Sequence, residues 1–191
     1  MKTEGSSNSR ENILAAATRV AGAHGYGGLN FRDIAAEVGI KAASLYHHFP
    51  SKADLGAEVA KRYAEQFAAM LEARLSATSD PILCLRDYPD TFRTALQNDN
   101  RMCLCSFMAA EYDDLPEAVK QEVQAFADVN VAWLSRVLSD AGVVNSGESE
   151  QRARAIFAAV AGAQLMARSR SDISLYDTLI DGYRAAGLLP A

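Results

Sequence analysis

Apolar residues recur at intervals of three and four along most of this chain, the spacing of one face of an α-helix. Ile13, Leu14, Ala17, Val20 and Ala21 mark a first such face. Asn8 and Glu11 form a capping box, so a helix is predicted from there to about His24, with residues 1–8 disordered. Gly25, Gly27 and Gly28 then break the pattern. Asn30 caps a second, short helix, with Asp33 three residues on and Ile34, Ala35 and Val38 on its apolar side. Gly39 stops it and Ile40 plugs the turn. A third helix over Ala42 to His48 faces inward with Leu45 and Phe49, and Pro50 ends it. Ser51 and Asp54 cap a long helix on which Leu55, Val59, Tyr63, Phe67, Met70 and Leu71 step at helical spacing to about Ser76.

The rest of the chain repeats this grammar. Asp80 before Pro81 starts a helix. The spacing predicts helices over about 81–98, 102–111, 116–141, 149–169 and 173–186, with Gly142 stopping the third of these and a polar loop over 142–148. The fold class is all-α, with a small domain over 1–52 and a larger helical domain over 53–191. Composition agrees: 49% hydrophobic residues and 5 Pro in 191 residues suit helices and are enough to bury a core. No apolar run reaches membrane-spanning length, and Met1-Lys2 leads into polar residues. Three cysteines argue against a disulfide framework. The expectation is a cytoplasmic protein with no membrane partner.

Two short helices joined by a glycine turn are helix-turn-helix geometry, which lays its second helix in the major groove of DNA. Charge is distributed to match. The chain carries −5 overall, yet residues 1–62 hold eight Lys and Arg against six Asp and Glu, and all three His. Residues 63–191 hold eleven against eighteen. The segments IAAEVGI (34–40) and LYHHFPSK (45–52) resemble the TetR/AcrR family of bacterial transcriptional regulators, over roughly Arg10 to Lys61. That resemblance implies a three-helix DNA-binding head joined by a long helix to a C-terminal domain that binds an effector and dimerises.

The N-terminal end of the recognition helix is Lys41, Ala42, Ala43 and Ser44. Relatives usually carry Ser or Thr where Lys41 stands, and losing a hydroxyl cap costs roughly 1 kcal/mol. Lys41 can approach a guanine edge or a phosphate, the two alanines can touch thymine methyls, and Ser44 and His47 are candidates for base edges. By resemblance, Tyr46, His48 and Lys52 contact phosphates, and Arg32 matches a position relatives use on DNA. His48 has a structural alternative, packing between helices.

The larger domain has no catalytic constellation: no His lies beyond residue 48, and no nucleophile elbow, P-loop or dinucleotide motif is present. No enzyme activity, cofactor or metal is expected. Cys103 and Cys105 sit about 200° apart on a helix and cannot pair with each other. Buried structural cysteine is one reading. The other is a redox-responsive Cys103, because Met102-Cys103-Leu104 and Ala109-Ala110-Glu111 resemble a subgroup of the family with a cysteine in a similar helix.

The resemblance also implies a small-molecule effector, largely apolar given the candidate wall. That wall comprises Phe67, Met70, Phe92, Cys103 and Phe107, then Phe126, Asn130, Trp133 and Gln164. Residues 153–167 are rich in small side chains and the last helix is apolar, so the two helices can pair as a core or across a homodimer; the resemblance favours a dimer on a palindromic operator, with Ile156, Val160, Leu175, Tyr176, Leu179 and Tyr183 at the interface. The sequence thus reads as a ligand-responsive repressor released from its operator by an effector. The alternatives are a redox-responsive repressor and a small-molecule-binding or scaffold protein without specific DNA recognition, which Ala42 and Ala43 keep open.

Overall fold

The computed structural model describes residues 3–145 and 147–191, with side chains described from Asn8 onward. Among the described residues ten α-helices follow one another: α1 Thr3–His24, α2 Phe31–Val38, α3 Ala42–His48, α4 Lys52–Thr78, α5 Pro81–Asp87, α6 Asp90–Gln97, α7 Leu104–Ala110, α8 Glu117–Asp140, α9 Ser149–Arg170 and α10 Ile173–Ala185. A single 3-10 turn, Tyr112–Asp114, separates α7 from α8. Among the described residues every regular element is helical, and no helix is long and apolar enough to cross a membrane.

Two expectations need correction. α1 begins at Thr3, so Asn8 lies inside the helix rather than capping it, and of the expected disordered stretch only Met1 and Lys2 fall outside the described residues. The helix expected over 81–98 is two helices. Pro89 has no N–H to donate and crowds the preceding turn, so α5 ends at Asp87 and α6 restarts at Asp90.

The chain forms two compact units. The first joins residues 1–64 to residues 104–126, so α7 and the start of α8 belong with the head, which extends well past residue 52. Its core is Ile13, Leu14, Ala17 and Ala21 of α1 against Ile34, Ala35, Leu45, Phe49, Leu55 and Val59, all buried. α1 packs on α2 and on α7. Tyr26 lies against α4 where Gly56 leaves room; a Cβ there would come within 2.7 Å of the ring. Arg10 bridges to Glu58 at 3.0 Å and stands 5.0 Å over the Phe49 ring, while Arg19 pairs with Glu37 and Arg62 with Glu11.

The second unit, residues 65–103 and 127–191, is centred on α6, α9 and α10. Phe92 stands within 6.2 Å of Phe67, Tyr88 and Phe157, and Tyr88 stacks on Trp133 at 6.0 Å. Tyr176 donates its phenolic hydrogen to the Pro89 carbonyl at 2.7 Å, which also takes the Arg93 N–H at 3.1 Å at the start of α6. Asp177 receives a two-pronged bond from Arg93 at 2.7 and 2.9 Å. Asp99 and Asn100 both adopt positive φ, and Asn100 uses its side chain to bond the Arg168 carbonyl at 3.0 Å near the end of α9.

Candidate nucleic-acid interface

Local chemistry sets the geometry of the head. Asn30, in extended conformation, accepts the Arg32 N–H on its side-chain oxygen at 2.8 Å and starts α2. Gly39, at φ 76°, lets its own N–H and that of Ile40 turn back to the Ala36 and Ala35 carbonyls. α3 begins without a side-chain cap, as expected with lysine at position 41. Ser51 Oγ accepts the Asp54 N–H at 3.2 Å and donates to the Asp54 carboxylate at 2.7 Å, fixing the entry to α4.

α3 is pinned by Leu45 and Phe49, which are buried. Lys41, Ala43, Tyr46 and His47 are exposed, whereas Ala42, Ser44 and His48 are half-buried. The outward face therefore offers one ammonium, one hydroxyl, one imidazole and two methyls at groove-reading positions.

A second feature lies beside it. Leu29, Asn30, Phe31, Arg32, Tyr46 and Lys52 line a surface cleft of about 350 Å³. The Tyr46 ring leans on Phe31 at 4.8 Å and is 56% exposed. The N-terminus of α2, capped by Asn30, lies here, where the helix dipole is positive. Two cations, a phenol and a helix N-terminus suit a phosphate. Three sequence candidates, Arg32, Tyr46 and Lys52, meet at this cleft, while Lys41 to Ser44, His47 and His48 lie along α3. Lys52 is also held from behind: its ammonium donates to the Gly27 carbonyl at 3.2 Å and stands 4.5 Å over the Tyr26 ring. Neither Tyr26 nor Gly27 was visible as a site residue in the sequence, where Gly25 to Gly28 reads only as a break.

Residues 13–59 match the family described as bacterial regulatory proteins, tetR family. A solved TetR-family transcriptional regulator from Agrobacterium tumefaciens is 30% identical with a TM-score of 0.86, covering 93% of this chain and 96% of that one. The chain belongs to the TetR family. A TetR transcriptional regulator from Legionella pneumophila is 29% identical with a TM-score of 0.85, covering 92% of this chain and 95% of that one. The Bacillus subtilis HTH-type transcriptional regulator LmrA is 37% identical over 75 residues, 39% of this chain and 40% of LmrA. That match spans less than half of the curated relative's length. As a TetR-family transcriptional regulator the protein is a DNA-binding protein, and its helix-turn-helix is α2 and α3.

The residues expected to line an effector pocket in this TetR regulator divide between the two units. Phe67, Phe92, Cys103, Asn130, Trp133 and Gln164 are buried in the second unit, with Met70 half-buried. Phe107 and Phe126 belong to the first, where Phe126 sits 5.6 Å from Tyr63. Within the second unit Tyr88 donates to Asn130 Oδ1 at 2.8 Å, and Gln164 accepts the Cys103 N–H at 3.0 Å. Burial pushes the Tyr88 phenol well above its ordinary pKa, so it stays protonated and remains a donor. Cys103 precedes α7 rather than lying on it, and both it and Cys105 are buried thiols.

The expected dimer residues need a correction. Ile156 and Val160 are 0% exposed and Tyr176 is 1% exposed within the single chain, so they face the protomer's own core. Leu175, Leu179 and Tyr183 are half-buried. The outward side of α9 instead carries Ala155, Ala158, Leu165 and Met166, the last two 54% and 47% exposed.

Proposed function

We propose that this TetR-family chain is a ligand-responsive repressor that binds a palindromic operator as a homodimer and leaves it when a small, largely apolar effector binds. The observation that carries the reading is the convergence of Arg32, Tyr46 and Lys52 on a cleft at the N-terminus of α2, beside an α3 face that is open to solvent. One such head per protomer, related by a two-fold axis, suits an inverted repeat.

The outward stripe on α9 supports the dimer. Gly162 of α9 and Gly182 of α10 have no atom within 4 Å of where a Cβ would stand. Glycine inside a helix costs about 1 kcal/mol relative to alanine, and the protomer gives no steric reason for either. Close approach of a second copy's helices supplies one, and the exposed Leu165 and Met166 continue the same face.

Support for an apolar effector comes from the interior. Among the described residues no Asp, Glu, Lys, Arg or His is fully buried; the buried polar side chains besides tyrosine, tryptophan and cysteine are Asn130, Ser149 and Gln164. Trp133 Nε1 is buried with no hydrogen-bond partner. A neutral molecule with one acceptor suits this environment, whereas an ion would lose its hydration without a countercharge. A coupling of about 1–3 kcal/mol between effector and operator is enough for release.

Fluorescence anisotropy tests the reading, with a duplex carrying the inverted repeat upstream of the gene and a scrambled duplex, each at two salt concentrations. Selective binding to the repeat is expected; equal binding to both duplexes would favour the scaffold alternative. Light scattering at micromolar concentration should give a dimer. Quenching of Trp133, the single tryptophan, reports neutral apolar ligands, and a quencher that leaves operator affinity unchanged would overturn the repressor-release step.

A further inference from the structure

The turn between α1 and α2 is built around a carboxylate from far along the chain. Glu111, immediately after α7, accepts the Tyr26 N–H at 2.6 Å through Oε2 and the Gly27 N–H at 2.9 Å through Oε1. Two successive N–H groups converging on one anion form a concave seat. The glycines make that seat possible. Gly25 has φ 68°, and a Cβ there would overlap the Glu111 carboxylate. A Cβ on Gly27 would stand 3.0 Å from Oε1.

Gly27 is gripped from two sides. Its N–H goes to Glu111, and its carbonyl receives the Lys52 ammonium at 3.2 Å. Tyr26, whose N–H also goes to Glu111, supplies the ring under that ammonium at 4.5 Å. A line of direct contacts therefore runs from Glu111 through Tyr26 and Gly27 to Lys52. Lys52 then lines the cleft at the N-terminus of α2.

We propose that Glu111 is a positioning residue for DNA binding: its carboxylate fixes the Gly25–Gly27 turn and so holds Lys52 and the start of α2 in phosphate-binding geometry. The proposal rests on the reading of that cleft as a DNA contact. It makes a prediction opposite in sign to simple electrostatics. Removing an acid from a DNA-binding unit reduces repulsion of phosphates and should strengthen binding. Loss of the seat should weaken it.

The test compares wild type with Glu111→Ala, Lys52→Ala and the double variant on the same operator duplex, across a salt series, with circular dichroism melts run in parallel. Glu111→Ala is expected to weaken operator binding about tenfold, with a smaller combined effect in the double variant than the product of the two single losses. Its log-log salt slope should shrink toward that of Lys52→Ala. Glu111→Gln, which keeps an acceptor oxygen in the seat, should lose less. Gly27→Ala crowds the carboxylate while keeping every charge, and should also weaken binding. Unchanged or tighter binding by folded Glu111→Ala, or losses that simply multiply with Lys52→Ala, would overturn the positioning role while leaving the cleft reading intact. If Glu111→Ala does not fold, Glu111→Gln and Gly27→Ala decide, and wild-type affinity in both would overturn it. Failure of wild type to bind duplex DNA would remove the cleft reading and the positioning role together.

Discussion

The side-chain amide of Gln164 on α9 donates to the backbone carbonyl of Phe92 on α6 at 2.6 Å. Its oxygen takes the Cys103 N–H at 3.0 Å, so one buried side chain serves two backbone groups outside its own helix. Gln164→Leu preserves much of the volume and removes both bonds. It should cost about 2–4 kcal/mol, because each buried backbone group loses a partner. Urea denaturation checks this; a loss below roughly 0.5 kcal/mol, the scale of an ordinary surface change, would mean that the clamp contributes little.

Lys52 and Tyr46 share a cleft but carry different charge, and DNA binding should separate them. Lys52→Ala is expected to weaken binding to every duplex and to reduce the magnitude of the log-log salt slope by about 1. Tyr46→Phe should weaken binding to every duplex with the slope nearly unchanged. Ser44→Ala or His47→Ala should instead relax preference at particular base pairs. A salt titration of wild type and the four variants decides, and an unaltered Lys52→Ala protein would remove that residue from the phosphate seat.

Gly162→Ala should act in opposite directions on the protomer and on its assembly. The added methyl meets nothing within the chain, so helix propensity alone should stabilise the isolated protomer by up to about 1 kcal/mol. The same methyl should weaken dimerisation if helices cross closely there, and Met166→Glu should weaken it further. Sedimentation over a concentration series measures the effect. Dimers equally tight in all three proteins would move the interface elsewhere.

The Arg93 fork holds the Asp177 carboxyl below its ordinary value of 3.8, chiefly through the hydrogen bonds. A carboxylate with a depressed folded pKa stabilises the fold above its unfolded pKa, and that contribution fades as pH falls through the folded value. The Asp177 side chain is 46% exposed, so solvent screening keeps the pair to no more than about 1 kcal/mol. Asp177→Asn should therefore be slightly less stable than wild type at pH 7. The gap should close at pH values well below 3.8. Guanidinium midpoints across that range test it; a gap that persists in acid would assign the effect to packing.

The helix-turn-helix was legible in the sequence because its signals are local. Asn30, Gly39, Pro50 and the Ser51–Asp54 pair each specify a start or a stop within a few residues of themselves. Pro89 carried the same kind of signal, but Cys84, Leu85, Tyr88, Phe92 and Leu96 keep helical spacing across it and mask the break. The buried side of α9 was illegible for another reason. Small residues occupy several of its faces, so spacing alone could not say that Ile156 and Val160 point inward while Leu165 and Met166 point outward. The Glu111 seat was hidden because hydrogen bonds spanning more than eighty residues leave no periodicity to read.

The first compact unit is made of two separate stretches of chain, and this bears on how the protein is born. A ribosome adds roughly 5–20 residues per second, so the segment from Leu104 to Phe126 follows Ala64 only after several seconds. During that interval the nascent reading head has its recognition helix but lacks the acid that seats its first turn. The head is therefore finished late, after part of the second unit has already been synthesised, and an N-terminal fragment cut near residue 64 would be an unfinished head.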